Sequence, residues 1–136
     1  MTIRHGMLSR RSVLGMAAGS AALLMTGCTG RAADERMAQV DVPRESPSGE
    51  VTATVVEDGE VLRPVILDAS GTELWRDDLA HVERYAPGVL WEKDADVLWI
   101  LSTDHGNASV RQDSAGSWVK TMGSDGMPED VADLAR

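Results

Sequence analysis

Thr52-Ala53-Thr54-Val55-Val56-Glu57-Asp58-Gly59-Glu60-Val61-Leu62-Arg63-Pro64-Val65-Ile66-Leu67 is the stretch that decides the fold. Two runs rich in β-branched residues flank Asp58-Gly59, a pair in which both residues tolerate positive φ, and that is the strongest short-range signal for a hairpin. Residues 51–57 and 61–67 are therefore expected to pair antiparallel. Pro64 lacks a ladder donor, which places it at an edge or a bulge.

Working outward, the same grammar continues. Asp68-Ala69-Ser70-Gly71 turns the chain into residues 72–76. After a gap come residues 89–92, 97–102, 109–112 and 118–122, divided by Asp94-Ala95-Asp96, Asp104-His105-Gly106-Asn107 and Asp113-Ser114-Ala115-Gly116. Consecutive strands usually lie side by side. The expected fold is all-β: a small antiparallel meander, or a curled sheet or sandwich, of about seven strands with a short C-terminal helix. In Val97-Leu98-Trp99-Ile100-Leu101 every residue is apolar, with Val97, Trp99 and Leu101 on one face and Leu98 and Ile100 on the other. Such a strand is buried on both sides and central. Its second face must be covered by the segment around Val131 and Leu134, by residues 79–85, by a second layer of sheet, or by a partner. Helix is expected at two places: Asp78 would cap residues 79–85, with Pro87 closing the run, and Pro128-Glu129-Asp130 would open a C-terminal helix.

Ser46-Pro47-Ser48-Gly49-Glu50-Val51 with Val65-Ile66-Leu67-Asp68-Ala69-Ser70-Gly71 resembles the hairpin unit of TolB-type β-propeller blades. The usual plan there is Ser-Pro-Asp-Gly, a strand, a turn, a second strand, and Asp-x-x-Gly. The run from Trp91 to Ser102, followed by Asp113-Ser114-Ala115-Gly116, repeats the plan with Asp94-Ala95 in place of Asp-Gly. Gly71 and Gly116 stand 45 residues apart, a blade-sized period. The resemblance implies two blade-like repeats, incomplete as blades and too few for a closed ring, which needs four or more.

Before this domain the chain has another character. Arg4, Arg10 and Arg11 precede an apolar run, residues 13–25, with no acidic residue among them. A cationic start, an apolar middle and a small-residue end make an export signal, and the run is shorter than the roughly 20 apolar residues of a permanent span. Ser9-Arg10-Arg11-Ser12-Val13-Leu14 resembles the twin-arginine export motif, with general secretory export as the alternative. Leu24-Met25-Thr26-Gly27-Cys28 resembles the lipobox of bacterial lipoproteins, which implies a diacylglyceryl group on Cys28 and cleavage just before it. Cys28 is the sole cysteine, so no internal disulfide exists. The expected organisation is a signal peptide over residues 1–27, a flexible tether over 28–50 and a β-rich domain over 51–136. A flexible tether of that length reaches about 25 Å.

Cleavage at Cys28 would remove three of the 13 basic residues and none of the 22 acidic ones, leaving a net charge of −12. That surface repels nucleic acid phosphates and anionic headgroups, so neither is an expected partner beyond the membrane reached through the lipid. The acidity is diffuse, as a solvated surface requires.

Chemistry is sparse. His81 and His105 are the only histidines after Cys28, and neither has a His-x-x-x-His or Glu-x-x-His spacing for a metal. His105 sits in a turn beside Asp104, as a binding candidate or a solvated turn residue. No Gly-x-Ser-x-Gly follows Cys28, so no catalytic residue is nominated. Asp94 with Asp96, and Asp104 with Asn107, start like calcium loops but lack the full ligand pattern; no metal and no cofactor are expected. Trp75, Trp91, Trp99 and Trp118 are mainly core by residue type, while Trp75, Trp91 and Trp118 are carried forward as candidates for a binding platform. The expectation is a non-catalytic binding module, lipid-anchored on the extracytoplasmic face of the cell membrane, meeting an envelope protein or polysaccharide. A small solute-binding lipoprotein and an envelope hydrolase are the alternatives.

Overall fold

The computed structural model describes residues 35–136. Arg10, Arg11 and Cys28, and with them the expected signal peptide and lipidation site, lie outside the described residues. Among the described residues ten strands are present: β1 (Met37–Ala38), β2 (Arg44–Glu45), β3 (Thr52–Asp58), β4 (Val61–Leu67), β5 (Glu73–Arg76), β6 (His81–Val82), β7 (Gly88–Trp91), β8 (Leu98–Leu101), β9 (Ala108–Gln112) and β10 (Trp118–Met122). They form two antiparallel sheets, one ordered β2-β3-β4-β5 with β6 also on β4, the other β1-β7-β8-β9-β10. Among the described residues one α-helix is present, α1 (Glu129–Leu134), after β10. The domain is all-β apart from this helix and a single 3-10 turn at Glu83–Tyr85.

The seven expected strands are β3, β4, β5, β7, β8, β9 and β10. The three additional ones are two residues long, too short for periodicity to register. Two of them correct the expected domain boundary. β1 pairs with β7, Met37 opposite Leu90, and β2 pairs with β3, Arg44 opposite Ala53. The stretch expected to be tether is therefore, from Met37 to Glu45, part of both sheets. Its prolines and charges hid this, because edge strands of two residues need no apolar alternation. The third, β6, corrects the helix expected over 79–85: His81 and Val82 pair with Leu62 and Val61, and only Glu83–Tyr85 makes a helical turn.

Each sheet contains a four-stranded meander, and the two meanders repeat one another in their hydrogen bonds. Before β3, Ser46 N donates to Val51 O at 2.8 Å; before β8, Glu92 N donates to Val97 O at 2.9 Å. In the turn after β4, Asp68 Oδ1 accepts from the amides of Ser70 and Thr72, each at 2.9 Å. After β9, Asp113 Oδ1 accepts from Ala115 and Ser117 at the same 2.9 Å. Gly71 and Gly116 close these turns at φ +88° and +87°, a conformation open to glycine and costly for other residues.

The meanders pack face to face. Ala53, Val55 and Ile66 from one meet Val89, Trp91, Leu98, Ile100 and Val110 from the other. The outer face of the second sheet carries Leu90, Val97, Trp99 and Leu101, and Val131 of α1 seals it. Leu98 and Ile100 thus face the other sheet and Trp99 faces the helix, which is the division read from the alternation, with the C-terminal segment as the cover.

Pro64 lies in the central strand β4, in regular register opposite Val55 of β3, and the register shift of β4 against β5 falls between Ile66 and Leu67. The Pro64 carbonyl accepts from Asp77 N at 2.9 Å. In an antiparallel strand a residue's N and O point to the same side, so the missing N–H faces the gap where β5 ends and β6 has not begun. The missing donor is thus accommodated by that gap, which residues 77–80 fill, and not by the expected edge or bulge.

Candidate functional site

The excursion at residues 77–80 drives one carboxylate into the protein. Arg63 Nη1 holds the loop by donating to the carbonyls of Asp77 and Asp78 at 3.1 and 3.2 Å. Asp77 is 1% exposed. Its Oδ1 accepts from Leu79 N at 3.0 Å and from Lys120 Nζ at 2.7 Å, and its Oδ2 lies 3.0 Å from His81 Nε2. Lys120 stands on β10 of the opposite sheet and also reaches Asp78 Oδ1, at 2.5 Å. His105, from the loop between β8 and β9, donates from Nε2 to Ala80 O at 2.9 Å and sets its ring edge-on to His81, centroids 5.1 Å apart.

Burial pulls the Lys120 ammonium toward neutrality, and the hydrogen bonds and charges of Asp77 and Asp78 outweigh it, leaving its pKa raised. The Lys120 hydrogen bond in turn holds Asp78 below the usual carboxylate range. A carboxylate, an imidazole and an ammonium in contact suggest acid–base chemistry. Here they serve a different end. His81 is as buried as Asp77, Lys120 and His105 close over the pair, and the Lys120 bond ties Asp77 to the opposite sheet while Leu79 N and His81 hold it within its own. The cluster works as a latch between the meanders.

The sequence reading did not assemble this latch. His81 and Asp77 are four residues apart, a spacing that meets on a helix; what joins them is the loop between β5 and β6, and Lys120 arrives from 43 residues away. His105, read as a binding candidate or turn residue, is instead a half-buried tie onto residue 80.

The tryptophans divide. Trp91 is buried, with Nε1 donating to Arg44 O at 2.9 Å; it has no face to offer and is withdrawn as a platform. Trp118 packs edge-on to it, centroids 6.0 Å apart, and Trp75 and Trp118 are half-buried against the inter-sheet core. Trp99 is fully buried and donates to Glu92 Oε2 at 2.8 Å. Of the acids read as cation-loop starts, Asp96 instead accepts from Ser48 N and Oγ at 3.0 and 2.6 Å.

One opening on the described surface is lined almost wholly by apolar residues. Where β1 leaves the second sheet, Met37, Ala38, Val40, Val55, Leu62 and Pro87 line a pocket of about 300 Å³. Val40 and Leu62 also pack on the inter-sheet core, so the pocket is the mouth of that core. Around Val40 the depression continues into two others that carry Asp41, Glu57, Glu60 and Glu83. Gln39 and Val42 hold the lip by exchanging backbone hydrogen bonds of 3.0 Å each, across Asp41 at φ 66°.

No family model matches this sequence, and comparison with curated proteins and with solved structures returned no match. No helix among the described residues is long and apolar enough to cross a membrane.

Proposed function

We propose that this chain is an exported lipoprotein of the bacterial cell envelope whose β domain acts by binding and not by catalysis. The observation that carries the reading is the division of labour just described. Among the described residues, the cluster of buried titratable groups at Asp77 is spent on joining the sheets, while a concave surface elsewhere is an apolar mouth with carboxylates at its rim. Binding sites are concave and apolar with a few polar groups around them, and this mouth has that composition.

The anchor rests on Cys28 at the end of its lipobox. A single acyl chain holds a protein marginally and two hold it stably, so a diacylglyceryl group on Cys28 would fix the domain at the outer face of the membrane. Mass spectrometry of the chain from native membranes tests this: the expected mature protein begins at a lipid-modified Cys28, and a bare thiol with residues 1–27 attached overturns the placement. Co-purification with envelope extract tests the binding role, and a reproducible absence of any partner overturns it.

A further inference from the structure

We infer that the mouth at Val40 receives a peptide segment of an envelope partner in which an aliphatic side chain is flanked by lysine or arginine. This rests on the binding reading above and adds the chemistry of the partner. The floor is aliphatic: Val40, Val55 and Leu62, with Met37 and Pro87 at the sides. Its volume, about 300 Å³, is at the small end of ligand sites, the size for one or two side chains and not for a large cofactor.

The rim gives the sign of the charge. Asp41, Glu57, Glu60 and Glu83 are exposed, and none of their side chains has a hydrogen bond or ion pair among the described residues. Elsewhere some carboxylates are paired, Asp58 by Arg63, Glu73 by Arg76, Asp77 and Asp78 by Lys120, Asp130 by Arg36, and others, such as Glu45, Glu50, Asp94 and Asp125, are exposed without a side-chain partner; what distinguishes the four is their place beside the apolar floor. Four unpaired carboxylates beside the apolar floor are complementary to cations spread along an occupant. They come from separate places, the lip after β1, the end of β3, the β3–β4 turn and the 3-10 turn, so a compact cation would answer one of them and an extended basic peptide several. A second copy of the chain would bring the same acidic rim and be repelled. Complementary charge of this kind sets partner choice and association rate more than raw affinity.

The test uses the full-length chain in a neutral detergent and two dye-labelled heptapeptides. Both have a valine-leucine-valine centre; one has two lysines on each side, the other two glutamates. Fluorescence anisotropy at low and high salt reads the binding. The lysine peptide is expected to bind at least tenfold more tightly than the glutamate peptide and to weaken with salt. E57K/E60K/E83K, all surface changes, is expected to reverse that order, and A86W, at an exposed residue that also lines the mouth, is expected to weaken the lysine peptide by filling it. Equal binding of both peptides, weakened alike by A86W, overturns the charge preference while leaving the domain a binder. Binding of neither peptide overturns the inference, and the anchor and co-purification experiments then judge the broader reading by themselves. Displacement of the lysine peptide by the neutral detergent, unchanged in the triple variant, names a lipid chain as the occupant and also overturns it.

Discussion

Lys120 Nζ reaches across from one sheet to two carboxylates of the other, and only one of them is out of water. Asp78 is largely exposed, whereas Asp77 is shut in with His81. Removing one partner of a buried pair leaves the other charged and unsolvated, at a cost of about 3–5 kcal/mol, whereas exposed pairs contribute about 0–1. Lys120→Met is therefore expected to lower the urea midpoint sharply and Asp78→Asn to move it little; equal effects would disprove the latch. The pH dependence follows from the two shifts. The depressed Asp78 contributes stability above its unfolded value, near 3.9, and loses it as pH falls through its lower folded value. The raised Lys120 contributes fully below its unfolded value, near 10.4, and loses it as pH rises through its higher folded value. Urea midpoints against pH should slope at both ends in the native chain, and both slopes should flatten in Lys120→Met. This latch was the least legible part of the sequence, since nothing local says that residue 77 and residue 120 will meet.

At the scale of elements, local chemistry was most readable. Asp58-Gly59 and the two Asp-x-x-Gly turns announced their hairpins because the glycine conformation and the aspartate side chain are set within four residues. The double-faced apolar run at Val97–Leu101 announced a covered strand because five consecutive apolar residues leave no face for water. β1, β2 and β6 were hidden, as each holds two residues and owes its conformation to the strand it joins. The turns make a paired prediction. A Cβ at Gly71 or Gly116 would meet nothing within 4 Å, so the cost of substitution is conformational only. Gly71→Ala and Gly116→Ala should each lower stability by about 1–2 kcal/mol and by the same amount, and unequal losses in thermal unfolding would argue against equivalent turns. For α1, Val131 is fully buried against Trp99 and its neighbours. Val131→Asp puts a charge there, and the helix should lift from the sheet with a red shift of tryptophan fluorescence; an unchanged spectrum would show that another segment covers Trp99.

For the molecule as a whole, the boundary of the domain is the main lesson. Composition placed it at residue 51, where the β-rich runs begin; pairing places it no later than Met37. A chain starting at residue 51 lacks both edge strands, the carbonyl of Arg44 that satisfies buried Trp91, and Ala38 and Val40 of the core. It is expected to be unfolded or molten at a temperature where a chain starting at residue 35 is cooperative, and circular dichroism melts compare the two. The apolar mouth was equally out of reach of the sequence, for Met37, Val55, Leu62 and Pro87 belong to four segments that only the packing of two meanders brings together.

Two halves built on one plan also pose a hazard of mistaken identity. Either meander offers an apolar inner face on which its own counterpart from a neighbouring chain could stack. Counting from the closing glycines, Trp75 in the first half corresponds to Lys120 in the second. A wrong pairing of two second halves would set ammonium against ammonium, and one of two first halves would bury Asp77 with no cation opposite. The ion pair across the seam thereby acts as a key that fits in one orientation, and its loss should show itself as exchanged, interlocked dimers as well as a softer monomer.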